Sequence, residues 1–215
     1  MSIAEAPGLR ERKRLATRKA IQHAVLELAL KNGLEHVTIE DISRVADISP
    51  RTFFNYFVSK EAAIAGDAPD FVDDEALTRF VDGGPDGDLI LDLGSLLADA
   101  AEHASDDRET MIMRKELHSK NPHLFALRMA GMRVFEDQLA GVVAERLLRD
   151  DPAYAGDPAG LASRARLVTL VAMGALRHAW TCWADPASGS AEPLTDRMRD
   201  SFGQLHAIFV KSGRS

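Results

Sequence analysis

The chain has 215 residues, 46% hydrophobic and 27% charged, a globular balance that fits one large domain or two small ones. No uninterrupted apolar run reaches the roughly 18 residues of a membrane span. MSIAEAPGLRERKR lacks the apolar stretch of a signal peptide, and a single cysteine, Cys182, rules out an internal disulfide framework and fits a reducing cytoplasm. A net charge of −7 argues against a protein that coats nucleic acid over its whole surface, but the average hides two ends. Residues 1–60 carry ten Lys/Arg against seven Asp/Glu; residues 61–215 carry 16 against 26. Within 8–20 there are six basic residues and one acid, which read either as a solvated helix end or as a contact for a polyanion.

The text is helical nearly throughout, with Gly/Pro clusters between helical patterns. A first helix spans 11–31, with Ile21, Ala24, Val25, Leu28 and Ala29 on one face and Gly33 as its stop. TIEDISRVA, 38–46, reads as a short helix capped by Thr38, with Asp41 completing a capping box. Its buried stripe is Ile39, Ile42, Val45 and Ala46. After the tight DIS connection, SPRTFFNYF reads as a second short helix, 50–57, with Ser49 as N-cap and Pro50 where its missing N–H costs nothing. SKEAAIA, 59–65, opens the next helix with Ser59 as cap.

Residues 66–88 are acidic and interrupted by Gly and Pro, and are expected to divide an N-terminal domain, 8–66, from a larger helical one, 67–215. Further helices are predicted over 88–105, 107–119, 122–149, 158–184 and 193–211. The fold class expected is all-α.

Four of the 13 aromatics, Phe53, Phe54, Tyr56 and Phe57, fall within 49–57. Two short helices joined by a tight turn make a helix-turn-helix. On a wheel of 100° per residue, Phe53 and Phe57 are i,i+4 neighbours that close a small core against Ile42 and Val45. Arg51, Thr52, Phe54 and Asn55 point elsewhere, with Tyr56 at the edge. A cation, a hydroxyl, an amide and a flat ring on one helix face suit the DNA major groove: Arg reads guanine, Asn reads adenine, and an aromatic rests on a thymine methyl. Tyr56 and Lys60 are placed for phosphates, as are the N–H groups behind Ser49 and Ser59.

The segment TIEDISRVADISPRTFFNYFVSKEAAI, 38–64, preceded by the basic helix 11–31, resembles the DNA-binding unit of the TetR family of bacterial transcriptional regulators. Thr38, Thr52, Tyr56, Phe57, Ser59 and Lys60-Glu61 fall at family spacing. The resemblance implies an N-terminal three-helix DNA-binding domain, followed by a C-terminal helical ligand-binding and dimerisation domain. It also implies that Ser49, Pro50, Arg51, Thr52, Phe54, Asn55, Tyr56 and Lys60 contact double-stranded operator DNA. Thr38 and Arg44 match backbone-contacting positions, and Arg12, Arg14 and Arg18 match phosphate or minor-groove contacts. FFNYF followed by SKE, and the later MRKELHSKNPHLFALRMAGMRVFEDQLAGVVAERL, are similar to an actinobacterial subgroup that includes the mycofactocin-associated regulator. That likeness implies an acyl-CoA-like effector.

For the C-terminal body the family implies a homodimer through helices 158–184 and 193–211, joined as a four-helix bundle. Leu167, Leu170, Val171, Gly174 and Ala175 form an apolar stripe on one, and Phe202, Leu205, Ile208 and Phe209 on the other. A two-fold dimer implies a near-palindromic operator. Candidate pocket residues for a small apolar effector are Met111, Arg114, His118, Phe125, Met129, Met132, Phe135 and Trp180; the same stripes also read as plain core. Arg114 and His118 form an i,i+4 pair suited either to an acidic group or to solvent. Seven histidines include no i,i+4 His pair, and no Cys/His cluster has zinc spacing, so no metal is expected. No GxSxG, phosphate loop or dinucleotide fingerprint occurs, so neither an enzyme nor a cofactor is expected.

Overall fold

The computed structural model describes residues 9–66, 71, 74–102, 108–183 and 192–212. Among them the chain is helical, with no strand. The helices are α1 (Leu9–Asn32), α2 (Ile39–Val45), α3 (Pro50–Tyr56), α4 (Lys60–Ala65), α5 (Asp74–Val81), α6 (Leu89–Glu102), α7 (Arg108–Lys120), α8 (Pro122–Asp150), α9 (Pro158–Trp183) and α10 (Leu194–Ser212). Short 3-10 turns at Leu34–His36 and Pro152–Gly156 complete the chain's regular structure among these residues.

The caps follow the sequence reading. Thr38 Oγ1 accepts from Asp41 N at 3.1 Å and Asp41 Oδ2 accepts from Thr38 N at 3.4 Å, a reciprocal capping box. Ser49 caps α3 and Ser59 caps α4. One element departs from expectation. Within 66–88, expected as a broken acidic boundary, DEALTRFV forms α5. Ala76 and Phe80 are buried i,i+4 neighbours, with Leu77 and Val81 packed beside them, so a single apolar stripe outweighs the flanking Gly, Pro and Asp.

Contacts divide the chain into two compact units: Met1–Asp67 with Ser105–Gly131, and Ala68–Ala104 with Met132–Ser215. In the first, Ile21, Val25, Leu26, Ile42, Phe53, Phe57 and Ile64 form a core that also takes in Leu117 of α7 and Leu124 of α8. In the second, Phe80, Leu93, Leu97, Phe135, Leu139, Val143, Ala172 and Phe202 are its centre. Each Val, Leu, Ile or Phe among them contributes about 1.5–3 kcal/mol by leaving water. α6 and α10 pack closely because Gly94 lacks a Cβ; one added there would lie 2.7 Å from Phe202 Cβ.

A buried ion pair pins the turn between α5 and α6. Both Nη atoms of Arg146 lie 3.1 Å from Asp92 Oδ2, and Nη1 also donates to Phe80 O at 2.7 Å. Asp92 Oδ1 accepts from Asp86 N at 2.9 Å. Gly84, at φ 64, presses on this carboxylate: a Cβ would sit 1.9 Å from Asp92 Cγ. Arg146 Nε donates to Asp150. Burial opposes ionisation of Asp150, but hydrogen bonds from Arg146 and Arg149 outweigh it and hold the carboxyl below its ordinary range.

α9 meets the length and mean-hydropathy criteria for a membrane span, although Arg164, Arg166 and Arg177 interrupt it. One face, Ala165, Thr169, Ala172, Ala175 and Ala179, packs inward.

Candidate nucleic-acid interface

α2 ends in a Schellman-type stop: Ile48 N donates to Ser43 O at 2.9 Å, and Asp47 adopts φ 53. This turn directs the chain into α3, whose rings divide as the helical wheel requires. Phe53 is fully buried and Phe57 nearly so, their centroids 6.0 Å apart. Phe54 is 58% exposed and meets Phe53 edge-on at 5.5 Å. Arg51 and Asn55 are exposed, as are Ser49 and Pro50. Thr52 is half-buried, its Oγ1 2.8 Å from Ser49 Oγ, and Tyr56 is half-buried against the core.

The basic candidates behave less uniformly. Lys60 Nζ donates to Leu34 O at 2.7 Å and Val37 O at 2.8 Å, tying α4 to the turn after α1. Arg18 Nη1 donates to Tyr56 O at 3.1 Å, at the C-terminal end of α3, and its guanidinium lies 4.2 Å over the Phe57 ring. Arg44 pairs with Asp41 one turn back on α2. The Thr38 hydroxyl bond holds the Asp41 carboxyl below its ordinary range despite partial desolvation.

Between the basic end of α1 and α3 lies an open groove of about 670 Å³. Arg10, Lys13, Arg14, Thr17 and Arg18 form one wall, and Thr52, Asn55 and Tyr56 the other. Sequence reasoning missed Arg10, Lys13 and Thr17. Their signal was present: 10, 13, 14, 17 and 18 fall on one helical face at i, i+3, i+4, i+7 and i+8.

A family model for bacterial regulatory proteins of the tetR family matches residues 21–64, which hold the paired helices just described. Two relatives extend the match well beyond them. The HTH-type transcriptional regulator TcmR of Streptomyces glaucescens is 32% identical over 154 residues, covering 67% of this chain and 66% of its own length. The transcriptional regulator MftR of Mycobacterium tuberculosis is 30% identical over 137 residues, covering 63% of this chain and 68% of its own. The chain belongs to the TetR family. Regulators of this family act on transcription through DNA contacts of the helix-turn-helix.

The eight candidate pocket residues fall into both units. In the first, Met111 and Arg114 are buried, and Arg114 Nε donates to Ile64 O at 2.8 Å near the end of α4. His118 is half-buried one turn on, its pKa pushed down to about 4 by burial and by the charges of Arg114 and Arg128. Met129 is half-buried, whereas Phe125 is 51% exposed. In the second unit, Phe135 stacks on Phe71 at 4.8 Å within the core, while Met132 and Trp180 are half-buried. Of the two tryptophans of WTCW, Trp183 is the buried one, and its Nε1 donates to Glu192 O at 3.0 Å.

Proposed function

We propose that the chain acts in the cytoplasm as a homodimeric repressor that docks α3 in the major groove of a near-palindromic operator. A small apolar or acyl-CoA-like ligand releases it. The observation that carries the reading is the outer face of α3. Arg51, Phe54 and Asn55 stand in solvent beside the basic groove, over a core already closed by Phe53 and Phe57. The ring is more than half exposed although its edge rests on Phe53, and ring, cation and amide all suit base edges. Residues 8–66 supply the DNA contacts; residues 67–215 supply dimerisation and the effector response.

Dimerisation draws on α9 and α10. Leu167, Leu170, Ile208 and Phe209 are each at least half exposed, and only 22% of the apolar window of α9 is buried. A two-fold dimer that reads a near-palindromic operator needs its two α3 helices about 34–36 Å apart, one DNA turn. Release follows if the ligand binds better to a geometry that cannot span that distance. In the first unit, methionines Met111 and Met129 suit an apolar guest, and Arg114 with His118 suit an acidic group.

The test is fluorescence anisotropy of the purified chain on the DNA upstream of its own gene, at physiological salt with random competitor. Saturable binding that resists competitor and is relieved by acyl-CoAs supports the whole reading. Saturable binding that no small ligand relieves leaves a regulator governed by a protein partner or by abundance. Binding that competitor removes refutes operator recognition on that DNA.

A further inference from the structure

The geometry points to a division of labour among the basic residues of α1: we propose that Arg10 and Lys13 are phosphate ligands for one DNA strand lying in the α1–α3 groove, while Arg18 is a positioning residue that sets the groove and touches no DNA. The proposal rests on the DNA-binding reading above. Arg18 is committed inside the protein through its hydrogen bond to the Tyr56 carbonyl and its stacking over Phe57. Both lie at the C-terminal end of α3, where a helix favours a cation. These contacts tie α1 to α3, and the preceding turns of α1 are mostly exposed. Residues 10, 12–14, 16, 19 and 20 are exposed, and the fully buried stripe begins only at Ile21.

Arg10 and Lys13 stand on this projecting stretch, on the face turned to the groove. From Arg10 to Arg18 the wall runs about 12 Å. A single DNA strand presents a charge about every 3.4 Å of helix axis, so the wall suits consecutive phosphates rather than one small anion. The opposite wall carries Asn55 and Thr52 on the helix proposed to meet the bases. Backbone and base contacts would then be held in one register by Arg18.

The two roles differ in their response to salt. A phosphate ligand contributes about 0.9 to the slope of log affinity against log salt, whereas a positioning residue contributes affinity without slope. The experiment measures this slope by anisotropy on the tightest duplex selected from a random-sequence library. The variants are Arg10→Ala, Lys13→Ala, the double variant and Arg18→Met. Because a dimer carries each side chain twice, expected is a slope smaller by about 1.8 for each single alanine and about 3.6 for the double variant, with thermal midpoint and preference for the selected duplex kept. Arg18→Met is expected to lose affinity and duplex preference at wild-type slope. A double variant with the wild-type slope overturns the phosphate assignment, and an Arg18→Met slope reduced like the others overturns its positioning role. If Arg18→Met lowers the thermal midpoint, Arg18→Gln replaces it, since its amide can still donate toward the Tyr56 carbonyl without the charge: a smaller slope would again place Arg18 on phosphate. A wild-type chain that selects no duplex ends the DNA-binding reading and this assignment with it; one that selects a duplex while its double variant keeps the full slope ends only the assignment.

Discussion

Replacing Arg146 by Met keeps much of the side-chain volume and removes the charge. In the folded protein the Asp92 side chain is fully buried and Arg146 is 2% exposed, so neither charge has water as an alternative partner. The substitution would leave Asp92 with one backbone donor, Asp86 N, and would strip Phe80 O of its guanidinium donor. Breaking one side of a buried pair costs about 3–5 kcal/mol, a large part of the roughly 5–15 kcal/mol that holds a domain together. For a chain of this size, about 2–4 °C per kcal/mol corresponds to a thermal midpoint lower by about 6–20 °C. Urea unfolding followed by circular dichroism, with a thermal scan, measures both. The companion variant, Arg146→Met with Asp92→Leu, removes the stranded charge and is expected to recover part of the loss. A cost for Arg146→Met below about 1 kcal/mol, the size of an exposed pair, would refute the argument from burial. So would a double variant no more stable than the single.

Asp47 sits at φ 53, a conformation that costs a non-glycine residue about 1 kcal/mol, so Asp47→Gly should raise the urea midpoint modestly without altering DNA affinity. Phe53→Ala should cost about 3–5 kcal/mol in unfolding experiments, whereas Phe54→Ala, at 58% exposure, should cost no more than its edge contact with Phe53, about 0.5–1.5 kcal/mol, and weaken operator binding in anisotropy titrations. His118 has a folded pKa of about 4 against an ordinary 6.5, so the folded state resists its protonation. Its contribution to stability is present above pH 6.5 and is lost as pH falls toward 4. In His118→Gln, unfolding titrations across that window should show a shallower decline.

Local chemistry was legible in the sequence wherever neighbours in the chain decide the outcome. Thr38 with Asp41, Ser49 with Pro50, and Phe53 with Phe57 each act within one helical turn, and each does in the structure what its spacing implies. α5 was hidden because composition, not spacing, dominates the text of 66–88, although Ala76, Leu77, Phe80 and Val81 carry a helical stripe. Tertiary capture of charges was not legible. Lys60 and Arg18 are the residue types a phosphate would use, but carbonyls of Leu34, Val37 and Tyr56, brought close only by folding, take their N–H groups. Nor does linear reading show that Leu117 and Leu124 belong to the core around Ile21 and Phe53, since no periodicity links positions so far apart.

That last feature bears on synthesis. The helix-turn-helix emerges from the ribosome well before the residues that finish its core. At about 5–20 residues per second, the 60 residues between Ile64 and Leu124 take about 3–12 s to add. Through that interval the apolar flank that α7 and α8 later cover stands open on the nascent chain. A chaperone, or a second nascent copy on the same messenger, would meet it before α7 and α8 arrive.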